Sequence, residues 1–416
     1  MSRRKFPAYG REIARMPSLA SSAAPDTGEL STVASFSPEF RLLLACCGDE
    51  GARASRVAGV LSENLDWSRV FALAEFHSVS PTLHRALSDP LVNGRVPLEV
   101  RENLQRLFDQ NVRKNLMLAA GLIGILDCLE QAGIFAVPYK GAVLAESLYG
   151  DLAMRDFSDL DVLVAAADVP LAKKALATIG FTPNIALTDA QEHAYLATGY
   201  EYTFDAPPEK NLLEIQWNFA PRFFAVDFDM RAILGRCATG SVAGRTVRVL
   251  RDEDVFVGLC VHAAKHLWNR VGWLCDIAAL QQRRTLAWEQ VAVEAKQLGI
   301  CRILAVNLLL AQRLLGTKPP VALEKVLQAE AETAAICSEI EELLPAEDAR
   351  STESMSYVRW MLRLRERVSD RVRFATRLAF TPSTGEWQCV KLPGPLFPLY
   401  RMVRLARLAS RLARVR

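Results

Sequence analysis

The sequence predicts an α+β fold, a small mixed sheet carried between two helical segments. Three observations predict it: short apolar runs bounded by turn residues fall between about residues 119 and 251, helical spacing fills the chain on both sides, and glycine or proline marks many of the changes of period. The chain of 416 residues, 50% of them hydrophobic, is long enough for two or three domains and a sizeable core.

Residues 1–36, with "MPSLASSAAPDTGELS", are too rich in Ser, Ala, Pro and Gly to bury the surface that would offset their ordering entropy, and predict a disordered leader. Helical spacing begins at "SPEFRLLLACC", where Ser37 suits the cap, Pro38 the first turn and Glu39 the positive end of the helix dipole. Further helices fit "DWSRVFALAEFHSV", "VSPTLHRALSD" and the long "PLEVRENLQRLFDQNVRKNLMLAAGLIGILDCLEQAG", which Gly133 ends. Residues 37–118 are therefore expected to form a helical module, the second half of the long helix passing into the next domain.

Within residues 119–251 the strand candidates are "IFAVPYKG", "LDVLV", "FTPNIA", "GYEYTFDAP", "NLLEIQWNF" and "GRTVRVL", with "VPLAKKALATIG" helical between the second and third. Helical spacing then returns through "VGLCVHAAKHLWNRVGWLCDIAALQQRR", "WEQVAVEAKQLG", "CRILAVNLLLAQRLLG" and "PPVALEKVLQAEAETAAICSEIEELL", predicting a helical domain over residues 252–375. Residues 376–416 are expected to be a basic tail whose end, "LYRMVRLARLASRLARVR", spaces arginines beside leucines. That segment fits either an anionic membrane surface, an acidic partner or a packed terminal helix.

The charge balance, 50 basic against 47 acidic residues, does not announce a nucleic-acid binder, and no RNA-binding motif accompanies it. Nine cysteines without a C-x-x-C pair predict a reducing compartment, the cytoplasm. No stretch reaches the roughly 18 consecutive apolar residues of a spanning helix.

The chemistry concentrates in "YKGAVLAESLYGDLAMRDFSDLDVLV". Alternate side chains of a strand share a face, so Asp159 and Asp161 point together while Leu160, Val162 and Val164 pack behind. Two carboxylates at that spacing repel by about 1 kcal/mol in water and several-fold more in a lower dielectric, so a cation between them is expected. Oxygen ligands suit a hard ion such as Mg²⁺. A solvated pair at a strand start is the plain alternative. Upstream, Lys140 and Gly141 follow an apolar strand and open a helix, where backbone amides and a lysine can meet phosphate oxygens, or where an ordinary turn leaves an exposed lysine.

Together these features resemble the nucleotidyltransferase superfamily, whose members combine a glycine turn, a helix and a D-x-D strand often read as "SDIDL". The likeness is closer to a bacterial group of uncharacterised nucleotidyltransferases whose pattern is Lys-Gly, an apolar helix ending near Tyr, an Arg and the D-x-D strand; here these are Lys140, Gly141, "LAESLYGD", Arg155, Asp159 and Asp161. It extends from "SPEFRLLLACC" to "VHAAKHLWNRVGWLCDIA". The resemblance implies a polymerase-beta-like core and a third carboxylate on a neighbouring strand, for which Glu214 is the candidate and Glu201 and Asp205 the runners-up. It implies two Mg²⁺ ions (or Mn²⁺) on Asp159, Asp161 and Glu214, an NTP as substrate and a hydroxyl acceptor that receives the NMP. The expected nucleotide-binding residues are Lys140, Gly141, Arg155, Ser158, Lys265 and His266.

Several further residues bear on the site. Arg155 is equally expected to pair with Asp151 or Asp156 on the surface. Gln216 stands where the family commonly has His before Trp, which removes any role needing an imidazole there. One helix is expected to place His262 and His266 on a common face without the Glu of a zinc-protease H-E-x-x-H; His262 is expected to pack in the helical domain, and Trp273 and Asp276 to organise it. A protein that keeps the fold and binds nucleotide without turnover, as a scaffold, is the alternative function.

Overall fold

The computed structural model describes residues 31–205, 212–324, 331–346 and 354–414. Most of the expected leader, residues 206–211, from the end of the strand candidate "GYEYTFDAP" to the start of "NLLEIQWNF", and residues 325–330, in the segment expected to be helical from "PPVALEK", lie outside the described residues. The end of that leader is described: Ser31–Ala34 forms a short helix, α1, and Phe36 packs edge-on against Phe40.

The first helical stretch comprises α2 (Pro38–Cys47), α3 (Arg53–Val60), α4 (Trp67–Phe76), α5 (Ser80–Leu87), α6 (Pro90–Asn93) and α7 (Leu98–Gln131). Local signals start them: Ser37 accepts from the Phe40 amide, and Asp66 accepts from the amides of Ser68 and Arg69. After α7, Gly133 takes φ +74, as the sequence requires.

The central part runs β1 (Ala136–Pro138), α8 (Gly141–Tyr149), β2 (Asp159–Val164), α9 (Val169–Thr178), β3 (Thr182–Pro183), α10 (Asp189–Thr198), β4 (Glu201–Asp205), β5 (Leu212–Gln216), α11 (Met230–Gly235), β6 (Ala238–Val242) and β7 (Arg245–Val249). Five strands form a mixed sheet in the order β1-β2-β5-β4-β3, with β2 and β5 parallel and the other pairs antiparallel; β6 and β7 form a separate hairpin. The fold is therefore α+β. Three elements here went unread in the sequence: α10, although Thr188 and Gln191 close a capping box at its start, α11 and β6.

Alternation divides the sheet into two unlike faces. Leu160, Val162, Val164, Leu213, Ile215, Tyr202 and Phe204 join a buried cluster with Leu118, Leu122 and Leu129 of α7 and Leu176 of α9. The opposite face carries Asp159, Asp161, Glu214, Gln216 and Glu201. The second helical stretch comprises α12 (Asp252–Lys265), α13 (Val271–Arg283), α14 (Trp288–Leu298), α15 (Cys301–Leu315), α16 (Ala331–Leu343), α17 (Met355–Arg363) and α18 (Val368–Phe380), of which α12 and α13 stand over the acidic face.

A single helix through "VHAAKHLWNRVGWLCD" is not what forms. Leu267 and Trp268 adopt φ +55 and +49, their amides turn back to Ala264 and Ala263, and the chain restarts at Val271. Trp268 is fully buried and donates to Asn307 Oδ1 at 2.8 Å, which repays a backbone conformation that side chains ordinarily avoid. The basic end is helical too: after α19 (Thr384–Cys389), α20 (Tyr400–Arg414) lies on α18, and Arg404 and Arg407 pair with buried Glu386.

Candidate active site

The register sets the acidic face. Because β2 and β5 are parallel with Asp161 opposite Glu214, the carboxylates of Asp159, Asp161 and Glu214 converge, one oxygen of each lying within 4.8 Å of the others. Every donor is a carboxylate oxygen, a set that fits a hard divalent cation. Lys140 stands against it, its Nζ 3.0 Å from Asp161 Oδ1. Gln216, which stands where the family commonly has His, donates its amide to Asp161 Oδ1 at 2.7 Å and to Glu214 Oε2 at 3.0 Å.

Lys140 reaches that position because the turn before α8 is tight: Lys140 has φ +62 and Gly141 φ +40. A Cβ on Gly141 would lie 3.6 Å from the Asp159 carbonyl, so the helix start abuts the first residue of β2. The segment between α8 and β2 is tied to α7. Asn111 donates to the Ala153 carbonyl at 2.9 Å, and Asn115 to those of Leu152 and Arg155 at 2.6 and 2.7 Å.

A cavity of about 440 Å³ opens over this face. It gathers Lys140, Arg155, Ser158, Asp159, Asp161, Glu214, Lys265 and His266 from the expected set, and Glu201 among the runners-up. Gly141 lies behind Lys140 and is outside the lining, and Asp205 is at the far end of β4, opposite Thr182. His262, Trp273 and Asp276, read from the sequence as packing residues, line the cavity as well.

Arg155 pairs with neither Asp151 nor Asp156. Asp151 caps the Ala153 amide and Asp156 pairs with Lys114, while the Arg155 guanidinium forks onto Asp276 of α13, with Nε 3.1 Å from both carboxylate oxygens and Nη2 2.8 Å from Oδ2. Tyr149 donates to the same carboxylate at 2.8 Å. The partner lies 121 residues away and no local spacing announces it. His266 closes α12 as its cap residue, so the two histidines meet at the end of a helix, ring centroids 4.7 Å apart, rather than along one.

Burial pushes the Asp161 carboxyl up to about 7, helped by Asp159 and Glu214 and opposed by Lys140. Burial also raises Glu214, with Glu201 adding to it. Burial works against charge on Lys140, but Asp161, Tyr139, Asp159 and Glu214 outweigh it and hold the ammonium above its ordinary range. One lysine thus shares three carboxylates. Lys265, its Nζ 4.0 Å from the centre of the Tyr200 ring, is lowered by burial to about 8 despite Glu201. Burial, with the charges of Lys140 and Lys265, drives both His262 and His266 well below their usual value, leaving them neutral at pH 7.

No curated protein matches the chain. Among solved structures, one of the antibiotic-resistance factor ANT(2'')-Ia matches at 15% identity over 43% of this chain and 89% of that one, with a TM-score of 0.32. The family model described as "Uncharacterised nucleotidyltransferase" matches residues 63–316, which span the turn, the D-x-D strand, Glu214 and the α12–α13 helices. The chain belongs to this nucleotidyltransferase family.

Proposed function

We propose that the protein transfers an NMP from an NTP to a hydroxyl acceptor, a small molecule, peptide or protein, with residues 119–251 as the transferring core between helical parts at 37–118 and 252–375. The observation that carries this reading is the convergence of Asp159, Asp161 and Glu214 on one sheet face under a cavity. Those carboxylates would hold Mg²⁺ or Mn²⁺, and the ion supplies positive charge against the triphosphate and the departing pyrophosphate. In the balanced reaction the acceptor hydroxyl gives up its proton to solvent, its oxygen bonds to the α-phosphorus, the bond from that phosphorus to the α,β-bridging oxygen breaks, and pyrophosphate leaves.

Lys140 balances carboxylate charge and is placed to exchange Asp161 for a phosphate oxygen. Gly141 permits the tight turn that seats that lysine against β2. Ser158, exposed at the cavity rim, offers a hydroxyl, and Lys265 and His266 face the nucleotide from α12. Arg155 acts through Asp276, as a positioning residue. At the basic end, contact with an anionic surface or an acidic partner falls to exposed residues such as Arg401, since Glu386 engages Arg404 and Arg407.

The test is incubation with Mg²⁺, each labelled NTP and candidate acceptors, including the protein itself. Label should transfer with the parent and be lost in Asp159→Ala/Asp161→Ala; equal labelling by the double variant refutes the site. One observation favours a second reading, a nucleotide-binding scaffold without turnover: Lys140 and Gln216 both already engage Asp161 Oδ1. Calorimetric NTP binding with no pyrophosphate release across an acceptor screen would support it.

A further inference from the structure

We propose that the corner formed by His262, His266 and Trp273 is the nucleobase subsite, with Trp273 its stacking residue; this rests on the transferase reading above.

A bound NTP needs two unlike surfaces. Its phosphates need charge, which the carboxylate face and Lys140 concentrate. Its base needs a flat, uncharged, polarisable surface with hydrogen-bonding edges nearby. Among the described residues lining the cavity, three rings meet in one place to provide that. His262 stands at 86° to Trp273 with centroids 5.0 Å apart, and His266 lies 5.5 Å from Trp273 at 44°. The geometry makes a corner, so that a planar ligand stacked on one ring meets the edge or face of another. The two imidazoles are neutral, each with one donor and one acceptor nitrogen, and no hydrogen bond joins either ring to another described residue. Asn269 adds an amide to the lining.

The corner is braced. The Val271 amide donates to His77 Nδ1 at 3.3 Å, the Gly272 amide to the His77 carbonyl at 3.0 Å, and Arg270 to Ser78 Oγ at 2.6 Å. A Cβ on Gly272 would come within 2.8 Å of that carbonyl, so the residue before Trp273 is held against the loop after α4 by a contact only glycine permits. On the other side the Arg155–Asp276 fork fixes α13 to the segment that leads into Asp159. A partly exposed tryptophan held from both sides, in the cavity that holds the carboxylates, is ready to stack without reorganising.

The experiment uses the full chain with Mg²⁺ and two probes: α,β-methylene-ATP, which cannot transfer its NMP, and inorganic tripolyphosphate, which has no base. Trp273→Ala should weaken the nucleotide analogue by roughly 10- to 100-fold, leave tripolyphosphate at the parent's affinity, and abolish the part of the tryptophan emission that the analogue quenches. Trp273→Phe should retain most of the analogue's affinity. Unchanged analogue binding in Trp273→Ala, while Asp159→Ala/Asp161→Ala loses both probes, overturns the base subsite and leaves the transferase reading standing. Equal loss of both probes in Trp273→Ala, or a Phe variant as weak as the Ala variant, also overturns it by showing a packing role. Absence of binding of either probe to the parent overturns both readings together.

Discussion

At the scale of single residues, the site is a problem of charge shared among too few partners. Asp159, Asp161 and Glu214 face one lysine, and the buried Asp161 takes up the imbalance as a raised pKa. Lys265 is a second lysine in the cavity, and its lowered value of about 8 gives a pH test. Its charge is present below that pH and lost above it. Over the range from pH 8 to about 9.5, above the Asp161 value of about 7, Mg²⁺-nucleotide affinity should therefore fall as pH rises in the parent, stay level in Lys265→Arg, whose guanidinium does not titrate there, and be low throughout in Lys265→Met; calorimetry at three pH values reads it. The two aspartates and the glutamate were legible from the D-x-D spacing and the family pattern. The partners of Lys140 and Gln216 were not, because a side chain's neighbours across strands depend on register, which no single strand carries.

At the scale of elements, α7 does more than cover the sheet. One face buries Leu118, Leu122 and Leu129, and the turn before them uses Asn111 and Asn115 to hold three backbone carbonyls of the segment entering β2. Asn115→Leu leaves two of those carbonyls without a donor in a buried setting, a loss of about 2–3 kcal/mol. Denaturant unfolding should show that loss, and transfer activity should drop with it, since the loosened segment carries Arg155 and leads to Asp159. Elements with strong local signals were readable: α2 by its Ser-Pro-Glu start, β2 by alternation. The break between α12 and α13 was hidden, because the apolar spacing continues through it. It forms because Trp268 gains a buried partner in Asn307, 39 residues on.

At the scale of the whole molecule, the site exists only where the sheet and the second helical stretch close on each other. Arg155, Tyr149 and Asp276 join them, and Arg283 at the end of α13 and Arg284 just after it reinforce the join by capping α8 at the carbonyls of Leu148 and Ser147. Asp276→Ala strands a buried guanidinium and should destabilise the protein by roughly 3–5 kcal/mol. Arg155→Leu/Asp276→Leu should recover much of that stability in denaturant titrations without recovering nucleotide affinity, because packing is restored while the fork that aligns α13 with β2 is not. Recovery of both would assign the pair to stability alone. No helix among the described residues is long and apolar enough to cross a membrane.

The sequence by itself determined what backbone period and local capping control: that Asp159 and Asp161 share a face, that glycine turns the chain before α8, that helices flank a small sheet. Tertiary structure alone decided which groups meet those carboxylates, that Arg155 serves Asp276, and that Trp273 opens onto the cavity instead of into a core. The physical reason is one of range. Alternation and capping are settled within a few residues, whereas the pairings that complete the site span 55 residues for Gln216 with Asp161 and 121 for Arg155 with Asp276, and are chosen only when the chain closes.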